Sequence, residues 1–474
     1  MTTGLEVEIR GLSADSRKIE PGFLFAALPG SKLDGRRFIA EAAKKGAVAV
    51  LAPEDTEVPA GITLVADENP RRRLALMAAR FYGRQPRTIA AVTGTSGKTS
   101  TAEFTRQIWA LLDRRAASLG TLGVIAPQGN EYLSLTTLDP IELHRRLAAL
   151  ADAGIDHLAM EASSHGLDQF RLDGVQITVA AFTNLSRDHL DYHGSMAAYL
   201  ASKRRLFAEV MEPGRSAVLN ADAPEFDDLA AACLRRNHRV TTFGRRRGDL
   251  RLIEQHPEGD GQRLLLEVFG QRQSLRFPVP GAFQADNLLA ALGLVVACGE
   301  PLALALGAVP RLTGVHGRIE RVARHPNGAP IYVDYSHKPG ALEAVLTALR
   351  PHAQGRLVVV FGCGGDRDRG KRPLMGRVVS ELADRAIVTS DNPRSEDPAG
   401  IAAEVAAGAV GPVEVELDRR AAIELALAGA APGDVVVIAG RGAEAEQELG
   451  TGKVPFDDRE VARELLRQVI EEAR

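Results

Sequence analysis

An apolar strand that runs into a glycine-punctuated turn and then a helix leaves few folds open to a chain. Thr88–Val92 is apolar and β-branched enough to read as a buried strand, Gly94 and Gly97 permit a tight turn, and Ser100–Leu112 has helical periodicity. In that setting Gly94, Thr95, Ser96, Gly97, Lys98, Thr99 and Ser100 form a cradle for an anion. Successive backbone N–H groups and the helix N-terminus face the phosphates, Lys98 adds a point charge, and the Thr99 hydroxyl suits Mg²⁺. The ordinary phosphate loop has a glycine five residues before Gly97, where this chain has Val92. The grip on phosphate is therefore shortened.

At about 150 residues per domain, 474 residues predict three domains. A net charge of −3 gives no general attraction to nucleic acid or to a membrane surface, so neither is expected as a partner. Met1–Leu12 carries no basic-then-apolar leader, and the apolar stretch Leu288–Val309 is broken by Gly299-Glu300-Pro301. That break predicts two helices rather than a membrane span. Cys233, Cys298 and Cys363 have no paired spacing and suit idle thiols in a reducing cytoplasm.

The predicted fold class is α/β throughout. Residues 1–87 mix short strands with helical Phe38–Lys45 and Pro70–Phe81, and Tyr82–Pro86 reads as a linker. Residues 88–316 alternate strands and helices, which predicts a parallel sheet covered on both faces, with polar clusters beyond the strand ends. Residues 317–474 repeat the alternation as a separate doubly wound, Rossmann-like segment. Its Gly362–Asp366 lacks the spacing of a dinucleotide loop.

Several polar clusters follow these strands. Glu161, after apolar Leu158–Met160, is placed to bind Mg²⁺ if its strand neighbours the phosphate loop; the alternative is a helix cap. Asn184–Gly194 holds His189 and His193 beside Asp188 and Asp191, a set suited to a second metal ion. Ser202–Arg205, which contains Lys203, reads on composition as a solvated basic face. Asp286-Asn287 reads equally as a helix N-cap, and Arg318 and Asp334 sit where a hinge and a strand end could meet a nucleotide.

Together, Thr93–Ser100, Glu161–Gly166, Asn184–Gly194, His316–Glu320 and Asp334–Pro339 resemble the Mur ligases, cytoplasmic enzymes of peptidoglycan synthesis whose phosphate loop is likewise shortened. Gly364–Asp368, Lys371–Met375 and Asp391–Arg394 resemble the members that add the third residue of the stem peptide, diaminopimelate. The resemblance implies a UDP-binding N-terminal domain, a central ATPase-like domain and a C-terminal amino-acid domain. Ala14, Ser16, Ser31, Lys32 and Leu33 would hold UDP. Thr136, Thr137, Ser163, Gln169 and Arg171 would touch the rest of UDP-N-acetylmuramoyl-L-alanyl-D-glutamate. Gly94–Ser100 would bind ATP, with Asn287, Arg318 and Asp334 around its adenosine. Thr99, Glu161, His189 and Lys203, the last as a carbamate, would serve two Mg²⁺ ions. Arg367, Asp391, Asn392, Pro393, Arg394, Gly440 and Glu444 would hold meso-2,6-diaminopimelate. Ala443 departs from the histidine usual in that family.

The implied enzyme is a monomeric ligase that forms an acyl phosphate from ATP and releases ADP and phosphate, with a part in cell shape and division. The alternatives are the same ligase using L-lysine or ornithine, a folylpolyglutamate synthetase-like ligase, and a nucleotide-switch protein. The separate N-terminal domain and Asp391–Arg394 argue against the folate enzyme.

Overall fold

The computed structural model describes residues 7–30, 33–133 and 135–472. The chain forms two compact units: one runs to Phe243 and takes in Ala290–Leu302, and the other comprises Gly244–Leu289 and the chain from Ala303 onward.

The first unit opens with four parallel strands, Gly11–Ser13, Phe23–Ala26, Ala49–Ala52 and Thr63–Ala66, in sequential order. Helix Pro70–Tyr82 begins with Asn69 as its cap and proline in its first turn, and packs on helix Pro140–Asp152. The main sheet is parallel from Arg239–Gly244 through Ser216–Asn220, Val179–Phe182, Thr88–Thr93 and His157–Glu161 to Ala116–Gly120. It then turns back antiparallel through Gly123–Ala126 and Gly129–Glu131. On one face Ile89, Ala91, Met160 and Phe182 join a core with Leu143, Leu147, Leu206 and Phe207. The residues between them, Ala90, Val92, Ala159 and Ala181, are equally buried, so both faces are covered, as the alternating pattern predicts.

In the second unit, Leu250–Glu258, Gly261–Val268 and Gln271–Phe277 form an antiparallel meander that the periodicity of the sequence does not announce. Its exposed positions carry Glu, Gln and Arg, which mute the apolar signal of half-buried strands. A six-stranded sheet follows in the order Glu320–Arg324, Pro330–Asp334, Val435–Ala439, Leu357–Phe361, Arg385–Val388, Glu414–Val415. All its neighbours are parallel except the first pair. The chain passes from Pro330–Asp334 to Leu357–Phe361 over the strand between them. That reversal of order opens a crevice at the carboxyl ends of these strands.

The Leu288–Val309 stretch holds parts of two helices, Ala282–Ala297 and Leu302–Ala308. Asp286 and Asn287 therefore lie inside a helix rather than at its cap. Among the described residues no helix is long and apolar enough to cross a membrane.

Candidate active site

Strand pairing assembles the centre of the first unit. Val92 pairs with Glu161 and Thr93 with Phe182, so the phosphate loop leaves the sheet between Glu161 and the Thr183–Asn184 turn. Gly94 takes φ of 146°, and a Cβ there would stand 1.9 Å from Thr183 Oγ1. Only glycine fits this approach. Gly97, with φ of 86°, precedes helix Lys98–Leu111, which has no side chain capping its first turn. The neighbouring turn braces the loop: Asn184 Oδ1 accepts from Ser96 N at 3.0 Å, and Thr183 Oγ1 donates to Ser96 O at 2.7 Å.

Glu161 is 2% exposed and accepts from Thr99 Oγ1 at 3.0 Å and from Thr121 N at 2.7 Å. The strands are neighbours, as the Mg²⁺ reading required, and Ser163 rather than Glu161 caps the next helix by accepting from Gly166 N. Lys98 Nζ donates to the loop carbonyls of Gly94 and Thr95 at 3.1 and 2.9 Å. Lys203 Nζ donates to the same Gly94 carbonyl at 2.8 Å.

Lys203 overturns the solvated-face reading, being 1% exposed. Its helix, Met196–Arg205, turns Tyr199, Ser202, Lys203 and Arg205 inward. The Lys203 ammonium lies 4.3 Å from the centre of the Tyr199 ring. Burial, reinforced by nearby Lys98, pushes its pKa well below the ordinary lysine value. Tyr199 was not singled out from sequence, although its spacing four residues before Lys203 puts both on one helical face. Its hydroxyl lies 3.2 Å from Thr95 Oγ1, and burial raises its pKa to about 12.

His189 is exposed and takes a left-handed φ of 52°. Its ring stands edge-on to His165 with centroids 4.8 Å apart, and His193 shares a hydrogen bond of 3.0 Å with Ser164 Oγ. Among the described residues no group of three or more His, Cys, Asp or Glu is arranged to hold a metal ion. The hard oxygens of Thr99 and Glu161 nevertheless suit Mg²⁺, and the exposed His189 imidazole can join a site completed by phosphate oxygens.

The residues expected to meet the sugar peptide form one network beside Glu161. Thr137 Oγ1 donates to Glu161 O and accepts from Ser163 N. Arg171 donates to Thr137 O at 2.7 Å and to Gln169 Oε1 at 2.6 Å, and Thr136 Oγ1 is 3.0 Å from Thr121 Oγ1. Gln169 also reaches Tyr192. In the connections between the N-terminal strands Ala14 and Leu33 are exposed, and Ser16 is tied to Glu41 and Lys45. Ser31 and Lys32 lie outside the described residues.

In the second unit, Asp334 ends its strand almost wholly buried, accepting from Ile319 N at 2.7 Å and from Ser336 Oγ. Burial raises its pKa. The Arg318 guanidinium lies 4.4 Å over the Tyr335 ring, and buried Asn287 donates to Gln284 Oε1. Across the crevice, Asp391 and Asn392 follow strand Arg385–Val388. Asn392 Nδ2 donates to Glu444 Oε2 at 2.9 Å, and its Oδ1 accepts from Glu448 N at 2.8 Å. Burial also raises the pKa of Glu444. Arg394, left-handed at φ of 53°, donates to Glu448 Oε2 at 2.9 Å and to Gly365 O at 2.7 Å. Pro393 is buried between these anchors, while Arg367 is exposed.

Asp391 Oδ2 is buried with no hydrogen-bond partner among the described residues. A Cβ at Gly440 would lie 2.4 Å from this oxygen, so a glycine keeps the approach to it open. An orphaned carboxylate oxygen beside Glu444 is an acceptor suited to an ammonium group.

The first unit therefore offers a phosphate cradle with hard oxygen ligands, and the second offers acidic and guanidinium groups for a small zwitterion. Known proteins match this chain over nearly its whole length. Residues 8–82 match the Mur ligase family catalytic domain, 92–295 the Mur ligase middle domain, and 317–442 the Mur ligase glutamate ligase domain. A UDP-N-acetylmuramoyl-L-alanyl-D-glutamate–2,6-diaminopimelate ligase of Caulobacter vibrioides is 52% identical, covering 95% of this chain and 94% of its own. The protein of the same name from Brucella melitensis is 49% identical, covering 98% and 96%. A solved structure of a ligase of that name aligns with a TM-score of 0.73 at 34% identity, covering 97% of this chain and 95% of its own.

Proposed function

The chain belongs to the Mur ligase family, and we propose that it joins 2,6-diaminopimelate to the D-glutamate of UDP-N-acetylmuramoyl-L-alanyl-D-glutamate at the expense of ATP. It is an ATP-dependent ligase of peptidoglycan precursor synthesis. The observation that carries the reading is the meeting of the shortened phosphate loop, Glu161 and buried Lys203 at adjacent strand ends. The use of nucleotide-linked substrates and ATP supports a cytoplasmic reaction.

Joining a carboxylate to an amine in water is uphill, so the acid must first be activated. The D-glutamate γ-carboxylate attacks the ATP γ-phosphorus, forming a C–O–P bond as the bond to ADP breaks. The loop N–H groups from Gly94 to Ser100 hold the phosphates in line, and Lys98 leaves its loop carbonyls to neutralise the charge that develops. Thr99, Glu161, His189 and Lys203 would hold Mg²⁺, which supplies charge neutralisation on the phosphates when bound. Thr137, Ser163, Gln169 and Arg171 orient the sugar peptide, and residues 1–87 take its UDP end. Residues 317–474 bring the amine. Asp391 and Glu444 hold ammonium, and Arg394 holds carboxylate. The free amine attacks the acyl carbon, the N–C bond forms, and phosphate departs with the C–O electron pair and takes up the proton that the nitrogen sheds. Asn287, Arg318 and Asp334 are assigned to adenosine.

The test is phosphate release and amide formation with ATP, the UDP-linked dipeptide and a panel of diamino acids. Release that requires both acceptor and amine is expected. Release that proceeds equally without either leaves a nucleotide switch as the better reading.

Lys203 carries its own prediction. Burial favours the neutral amine, the form that adds CO₂ through nitrogen and loses a proton to give a carbamate. A carbamate is an anionic ligand, whereas an ammonium repels Mg²⁺. Lys203→Ala is expected to lose about 100-fold in rate and to regain part of it when short carboxylic acids are added. Density for a carbamate is expected in a substrate complex; an unmodified Lys203 turned to solvent there ends the assignment.

A further inference from the structure

The amino-acid site is built on a two-stranded hairpin, Glu446–Leu449 with Gly452–Pro455. Glu448 anchors Asn392 and Arg394, and Gln447 Nε2 donates to Asp391 O at 2.6 Å. One side chain secures both ends of this hairpin. Arg441, fully buried, uses Nη2 to donate to Glu446 O at 2.6 Å and to Phe456 O at 2.9 Å. Its other nitrogens face carboxylates without a hydrogen bond: Nε is 3.9 Å from Glu444 Oε2, and Nη1 is 3.7 Å from Asp458 Oδ1. Asp458 is already engaged by fully buried Arg419. Nε and Nη1 are thus buried donors with no hydrogen-bond partner among the described residues. A guanidinium left short of partners is a costly way to fill a core, and a hydrophobic residue of similar volume would serve packing as well.

We propose that Arg441 is a positioning residue for amine selection: it clamps the hairpin that orients Asp391, Asn392 and Arg394, and its unused edge sets the side chain of Glu444. The proposal rests on the amino-acid site described above and extends it to a group that does not touch substrate. Lysine in its place keeps the charge but lacks the planar fork that bonds two carbonyls while presenting its other edge to the Glu444 and Asp458 carboxylates. Ala443 adds no donor to this stretch, so the task falls to Arg441.

The experiment is steady-state kinetics of wild type, Arg441→Lys and Arg441→Met with all three substrates, using diaminopimelate and lysine as competing amines. In the variants KM for diaminopimelate is expected to rise roughly tenfold or more, with kcat falling less and the preference over lysine shrinking. KM for ATP and for the UDP-linked dipeptide should stay within about twofold, which a general loosening of the fold would not produce. Arg441→Lys, which keeps the buried charge and one donor, carries the test by itself if Arg441→Met fails to fold, and Glu448→Ala, which removes only the brace on Arg394, is the comparison for losing that brace with the clamp intact. Unchanged amine KM and preference in folded variants overturns the clamp while leaving the ligase reading intact. A wild type that shows no preference for diaminopimelate removes the amino-acid site itself, and the clamp with it.

Discussion

Lys98→Ala is expected to lower amide formation on the order of 10³-fold while the protein keeps its fold. The Lys98 ammonium stands at the N-terminus of helix Lys98–Leu111, within reach of the loop that would cradle the ATP phosphates. A point charge there acts where negative charge accumulates as phosphoryl moves, and no other group in the loop carries one. The fold should tolerate the change because the loop has other braces. Lys203 still donates to the Gly94 carbonyl at 2.8 Å, and Thr183 and Asn184 still hold Ser96. Circular dichroism and a melting temperature within about 4 °C of wild type check that half of the prediction. Near-normal turnover in a folded variant would remove the phosphate-loop assignment.

The second large effect lies in the choice of amine. Lysine and meso-diaminopimelate share a chain and two amines, but only the latter carries a distal carboxylate. In the proposed site Arg394 would supply a planar, two-pronged donor for that group. Its bonds to Glu448 and to the Gly365 carbonyl fix the plane of the fork, and a left-handed backbone turns it into place. A site built to pair a missing group rejects the analogue by roughly 10⁴-fold. Wild type is therefore expected to prefer meso-diaminopimelate over lysine or ornithine by about that factor in kcat/KM, and Arg394→Ala to cut the preference to about tenfold. Arg394→Lys, which keeps charge and loses the fork, should fall between. Equal use of lysine by the wild-type enzyme would sink the specificity claim and leave the ligase standing.

What the sequence determined by itself was local. The strand, the two glycines and the helix around Lys98 are legible because a buried strand, a left-handed turn and a helix each need particular residues within a few positions. The alternation of strands and helices implies parallel sheets for the same reason, and the motif resemblance assigned roles along nearly the whole chain. The meander from Leu250 to Phe277 escaped because charged residues on its open face hide a period-two pattern.

Tertiary structure decided the rest. Lys203 in a run of basic residues looks solvated until its helix is laid against the Gly94 turn, where it becomes 1% exposed and loses the solvation that keeps an ammonium charged. Glu161 meets Thr99, 62 residues away in sequence, only because the strand before the phosphate loop pairs in parallel with the strand that ends at Glu161. The orphaned Asp391 oxygen and the half-satisfied Arg441 guanidinium exist only once strand ends and a hairpin close around them. Periodicity reports which face of an element is buried. It is silent on which elements meet there, because pairing between distant strands is set by packing of the whole sheet rather than by any short stretch of chain.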